Sequence, residues 1–162
     1  MITTGMSRSF CHRRGTATVE LAMVAPILIV FLFGTIEFGY LISTTGQLWN
    51  LARESARAAA VGLTPVQVEA RLQESMGVLD PGSLTVTQTY RPDESYPTGT
   101  WPLLADDGVT NTAPYGALIR VEVSYQHKLL LPGLFGWFLA TGSTPRGEAV
   151  KLLRTSVTTR RE

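Results

Sequence analysis

A chain of 162 residues is of single-domain size. Only 17% of it is charged and 44% hydrophobic, with a mean hydropathy of +0.12, so a membrane segment is sought before any globular reading. Fourteen basic residues against 13 acidic ones argue against a strongly basic nucleic-acid binder; one cysteine and two histidines leave no disulfide framework and no cysteine- or histidine-rich metal site.

The chain opens on a short segment holding Arg8, Arg13 and Arg14, with Cys11 and His12 among them. From Leu21 to Ile36 no residue is charged, and past Glu37 the uncharged run continues to Arg53. A span over about residues 21–42 gives roughly 33 Å of helix at ~1.5 Å per residue, enough to cross a hydrocarbon core of about 30 Å once. Glu20 and Glu37 would then sit near opposite edges of the bilayer, where a carboxylate is less costly than at the centre. Pro26 is tolerated within such a helix. Three arginines before the span against Arg53 and Arg57 after it are a weak asymmetry, and the short N-terminal tail beside a much longer C-terminal region makes N-terminus inside, C-terminus outside the better reading. A cleaved secretory signal fits poorly, because the apolar run is too long and the cluster Ala58, Ala59, Ala60 lies far beyond it. Cys11 precedes the run, the reverse of a lipoprotein signal.

The junction reads Arg13-Arg14-Gly15-Thr16-Ala17-Thr18-Val19-Glu20 and then the apolar helix. That order resembles the leader of type IV pilins and pseudopilins, most closely the TadE-like family of tight-adherence (Flp) pilus systems. Val24-Ala25-Pro26, Ile36-Glu37-Phe38-Gly39 and Ala52-Arg53-Glu54 onward to Val61 extend the likeness. The resemblance implies cleavage by a prepilin peptidase between Gly15 and Thr16, with Glu20 as the carboxylate at mature position five. Glycine has no Cβ to hinder approach to a membrane-embedded protease. Cutting there frees an ammonium at Thr16, and Glu20, one helical turn along, is placed to pair with it in its own chain or a neighbour's. In apolar surroundings such pairing favours one axial register between adjacent helices. Loss of Arg8, Arg13 and Arg14 takes the 14 basic residues to 11 against 13 acids, and Cys11 leaves with them.

Glu37 reads either as a second register pin in an assembly or as an interfacial carboxylate. Gly39, Ser43 and Gly46 form a small-residue face that permits close helix contact. Ala52, Ala56, Ala59 and Ala60 extend a small face beyond the membrane, and one helix from about Thr18 to Val61 is expected.

Thr64-Pro65-Val66-Gln67 has the form of an N-cap, a first-turn proline and a capping-box glutamine. Val68, Leu72 and Met76 follow at helical spacing, and Gly77 closes the helix. After the turn Asp80-Pro81-Gly82, Leu84, Val86 and Tyr90 predict a strand. The long loop 91–114 holds four prolines and the acids Asp93, Glu94, Asp106 and Asp107, whose spacing is not that of a calcium loop. Tyr96 and Trp101 in it are read as contact-surface aromatics or as buried under the loop. Ile119, Val121, Val123 and Tyr125 alternate with Arg120, Glu122, Ser124 and Gln126, a strand that ends at a surface or satisfied His127. The apolar run 129–140 is broken by Pro132 and Gly133 and too short to span; it docks on the membrane through Trp137 and Phe138, or covers the sheet. Residues 150–159 predict a closing strand.

The expected fold is α+β and pilin-like: a long N-terminal transmembrane helix continuing into a small periplasmic domain with one short helix and an antiparallel sheet of three to four strands. Residues 1–15 form the cytoplasmic leader, 16–62 the long helix and 63–162 the periplasmic domain. No G-x-S-x-G, H-E-x-x-H or phosphate loop occurs. The reading is therefore non-enzymatic, with no catalytic residues, cofactor or metal: a minor pseudopilin or assembly component acting in pilus biogenesis and surface adherence. Its implied partners are the prepilin peptidase, the major Flp pilin and other pseudopilins, the inner-membrane assembly platform and membrane lipid, without nucleic acid. The implied location is the bacterial inner membrane, with possible entry into the extracellular pilus. The alternatives are an uncleaved signal-anchored periplasmic binding domain or enzyme, and a membrane assembly chaperone.

Overall fold

Helix α1 runs from Arg13 to Ala60, 48 residues in a computed structural model that describes residues 13–92, 99–144 and 147–162. Its sequence changes character midway. From Gly15 to Ile36 nearly every side chain is exposed, Ala25 and Gly34 being half-buried. From Glu37 onward Glu37, Leu41, Thr44, Leu48, Leu51 and Ser55 are buried at intervals of three and four residues, the stripe of a helix packed on one face. The chain divides into two compact units at that point, between Ile36 and Glu37.

The second unit is an α+β domain. Helix α2, Pro65–Ser75, starts on the expected capping box: the Gln67 amide donates to Thr64 Oγ1 and the Thr64 amide to Gln67 Oε1, at 3.3 and 3.1 Å. Strands β1 (Leu84–Arg91) and β2 (Leu118–Lys128), helix α3 (Pro132–Leu139) and strands β3 (Gly142–Ser143) and β4 (Ala149–Arg160) follow. They form one four-stranded sheet in the order β1-β2-β4-β3, antiparallel at each junction, with Val121 opposite Gln88 on one side and Val157 on the other. Three of these strands match the sequence expectation; the two-residue β3 is too short to leave a periodic signal.

Period-two alternation sends Ile119, Val121 and Val123 of β2 to the covered face, all fully buried. There they join Leu48, Ala52, Ala56 and Ala59 of α1, Val68 and Leu72 of α2 and the C-cap residue Met76 in one core. The alanines expected to extend a small face therefore serve the domain's interior, where a small side chain admits close approach of helix and sheet. A second, smaller cluster joins Leu41 of α1 to Leu129, Phe135 and Leu139.

The C-terminal end of α1 is closed by side chains far along the chain. Gly62 takes φ +97°, a left-handed backbone suited to glycine. Asn111 donates to the carbonyls of Ala59 and Leu63 at 2.8 and 3.0 Å, satisfying groups that a helix end leaves without partners. Arg161 in turn donates to the carbonyls of Asn111 and Ala113.

The described part of the loop after β1, from residue 99 onward, is held against that strand. Leu103 bridges to Thr89, and the Tyr90 amide donates to the Pro102 carbonyl, so the segment lies along the edge of β1. Trp101 is half-buried, with the Arg120 guanidinium 3.9 Å and that of Arg91 5.3 Å from its ring centroid. Asp107 accepts from the amides of Val109 and Thr110, which hold its carboxyl below the usual range, the Thr110 bond having the larger effect. Asp93, Glu94 and Tyr96, like Arg8, Cys11 and His12, lie outside the described residues.

Candidate functional site

The residues singled out by the sequence all fall on α1, and the structure separates them into three groups. Gly15, Thr16 and Glu20 occupy its first turns and are exposed. Gly15 lies inside the helix, although glycine costs about 1 kcal/mol relative to alanine in a helix interior. A Cβ built on it meets nothing within 4 Å. The Gly15–Thr16 bond thus sits in the first turn of α1, and Thr16 and Glu20 are one turn apart on the same face.

Gly39, Ser43 and Gly46 form the second group. They are exposed, on the side of α1 away from the buried stripe, and Cβ atoms built on the two glycines meet nothing within 4 Å. The domain leaves this small-residue face uncovered.

Glu37 belongs to neither group. It is 1% exposed, and its carboxylate accepts from the Leu130 amide at 3.1 and 3.3 Å. His127 Nε2 lies 3.9 Å from Glu37 Oε1 and has no hydrogen-bond partner. The imidazole is also 1% exposed, with the Tyr40 ring centred 4.8 Å away. His127 was expected at the surface or satisfied at the end of its strand. It is indeed at the strand's end, the penultimate residue of β2, but buried, on the face that the alternation from Ile119 assigns to odd-numbered positions. Burial lowers its pKa below the usual 6.5, and the neighbouring Glu37 carboxylate opposes that shift. Sequence alone placed Glu37 in an uncharged run and His127 in step with the apolar face of its strand, but held nothing to join positions 37 and 127.

The same packing bears on the expected span of 21–42. Glu37 and Leu41 are covered by residues 127–139, so the last turns of that interval meet protein on one face. The helix that contains the span remains long and apolar enough to cross a membrane, with a mean hydropathy of 2.4 in its best window and none of that window buried.

A cleft of about 810 Å³ beside the exposed face of α1 is lined by Gln47, Arg53, Glu54, Arg57, Ser75 and Val78. Among the described residues no group of three or more His, Cys, Asp or Glu is placed to hold a metal ion.

These features define a class: an α+β domain carried on a long N-terminal helix with a candidate membrane span near the N-terminus. The TadE-like protein family model matches residues 15–57, from the glycine of the junction to the buried half of α1, and over this stretch the chain is TadE-like. The chain is also similar to the cation efflux system protein CusB of Escherichia coli K12, and equally to that of strain CFT073, at 34% identity over 100 residues. The aligned stretch covers 59% of this chain, and the chain spans about a quarter (24%) of the length of those relatives. No solved structure matches.

Proposed function

We propose that the protein is a minor pseudopilin or assembly component of a tight-adherence pilus, cut by a prepilin peptidase after Gly15 and anchored in the inner membrane by residues 16–36. The observation that carries this reading is the TadE-like match, which opens on Gly15 and runs through the helix. Residues 16–36 supply roughly 31 Å of helix at ~1.5 Å per residue, and Glu37 then begins the domain on the periplasmic side. Glu20 and the ammonium created at Thr16 pair within or between subunits, setting the axial register of neighbouring helices. The exposed face at Gly39, Ser43 and Gly46 lets such helices approach closely.

The work is mechanical and interfacial, with no turnover site. The domain, some hundred residues beyond the helix, suits a minor or initiating subunit better than the bulk pilin. The peptidase, the major Flp pilin and the inner-membrane assembly platform are its partners in biogenesis and adherence.

Intact-mass measurement of the membrane-extracted protein tests the reading: the mature chain begins at Thr16. Gly15→Trp leaves the precursor uncut. Since a side chain at position 15 has open space, that failure reports the fit of the protease and not damage to the fold. Normal maturation of the variant overturns the assigned site. A native chain that keeps its arginines throughout pilus biogenesis favours the uncleaved chaperone or signal-anchored alternatives.

A further inference from the structure

We infer that the free edge of β4 is a docking site for an extended, acidic segment of a partner protein, which joins the sheet as an added strand. The chain treats the two edges of its sheet differently. On β1 the Tyr90 amide donates to the Pro102 carbonyl and the Leu104 amide to the Gln88 carbonyl, so outward backbone groups there are occupied. On the opposite edge β3 pairs only with Ala149 and Val150, and the Leu152 amide donates to the Thr141 hydroxyl. Past Leu152 no strand of the described residues lies outside β4.

The ladder fixes which groups are left over. The Ala149 carbonyl accepts from the Leu129 amide on the β2 side, whereas the Val150 carbonyl accepts from the Thr141 amide on the other. Antiparallel pairing alternates these directions, and the register with β2 is continuous from Val150 to Arg160. The amides and carbonyls of Arg154, Ser156 and Thr158 therefore point away from β2, and among the described residues nothing bonds to them. Neither proline nor bulge interrupts the stretch. Such a row of donors and acceptors is a template for another extended chain.

The chemistry of the occupant follows from what flanks this edge. A cleft of about 340 Å³ opens between β4 and α1, lined by Val157 and Thr159 on one side and Arg53, Ala56 and Arg57 on the other. Leu153 and Val157 pack on the main core but are only half-buried, whereas Tyr125 and Val121, opposite them on β2, are buried. An added strand lays alternate side chains over this gap. Arg53 and Arg57 are exposed and make no ion pair among the described residues; Glu162 is the acid that shares their cleft. Strand β4 itself holds Lys151, Arg154 and Arg160 and no acid, with Arg154 paired to Glu122 at 2.9 Å. The partner strand thus turns an acidic side chain toward Arg53 and Arg57 and an apolar one toward Leu153 or Val157. Two copies of this edge would bring basic groups together, which disfavours self-pairing. Every residue of the site belongs to the unit Glu37–Glu162, so it stands whether or not the chain is cut after Gly15.

Photocross-linking of the full chain in its native cells tests the site. The photoreactive p-benzoylphenylalanine replaces Thr158, whose side chain is exposed, and the cross-linked peptide is sequenced. The expected adduct is with another protein, at an extended stretch where acidic and apolar residues alternate. Ser156→Pro removes an outward donor that β2 does not use and cuts the adduct about tenfold, the worth of one hydrogen bond. Arg53→Glu combined with Arg57→Glu lowers it as well, and because both positions are exposed this variant keeps the fold even where proline disturbs β4. In the purified full chain in detergent, the amides of Arg154, Ser156 and Thr158 exchange faster than those of Thr155 and Val157. An adduct with a second copy, an adduct at a stretch without acids, no adduct, or a yield indifferent to both variants overturns the inference. Slow exchange at all five amides in the purified chain overturns it too, because the edge is then already covered.

Discussion

The two halves of α1 share one backbone and solve opposite problems. Over residues 15–36 apolar side chains point outward on every side, and no protein covers them. Over residues 37–60 a stripe of Leu, Ala, Ser and Thr is buried against sheet and α2, while Arg53, Glu54 and Arg57 face outward. Hydrogen bonding within the helix is satisfied along both, which is why one element can carry a candidate membrane span and a packed stripe in turn. The lesson lies in the outward face: it is apolar along the candidate membrane span and carries Arg53, Glu54 and Arg57 along the packed half.

The same substitution in each half breaks this comparison most sharply. Leu48 is 1% exposed in the main core, so Leu48→Asp buries an unpaired carboxylate. The expected loss is on the order of 4–5 kcal/mol or more, enough to abolish cooperative unfolding of a marginal domain. Leu28→Asp leaves the domain's unfolding midpoint unchanged. It penalises membrane insertion by about 3 kcal/mol and shows in the inserted fraction after alkaline extraction. Equal effects of the two variants on domain stability would erase the distinction.

A subtler probe is the buried pair where the halves meet. Folding lowers the pKa of His127 from 6.5, so below that value the unfolded chain binds the proton more readily than the folded one. Stability is then present at neutral pH and declines as the pH falls through about 6.5 toward the folded value. Denaturant midpoints measured from pH 7.5 to 5 should fall, and His127→Gln should flatten that slope. Asp80, held low chiefly by the Ser83 hydroxyl and then by the Gly82 amide, and Asp107 contribute in the same direction only below their usual 3.8, a separate window. The smallest effect is expected at the start of α2, where Thr64→Ala removes a cap and costs about 1 kcal/mol in chemical denaturation.

Several features were legible from residue order. The apolar run and its arginines announce α1; Thr64 and Gln67 mark the start of α2; the alternation from Ile119 to Tyr125 assigns the buried face of β2. Each is a local signal, since period, cap and charge are written within a few residues. The arginine–glycine–glutamate order at the junction carried the family resemblance for the same reason. The environment of Glu37 was not legible, because its partners are the Leu130 amide and His127, some ninety positions away. Nor was the closure of α1 by Asn111, or the sheltering of the β1 edge by Leu103.

By itself, then, the sequence determined a long helix with a greasy first half, a capped short helix and alternating strands, because periodicity and capping act over a turn or a pleat. Only the tertiary structure decided that the domain begins at Glu37, that the alanines beyond it are core, and that α3 keeps an uncovered apolar side. Those outcomes depend on which distant surfaces meet, and burial of a side chain is a property of its neighbours in space.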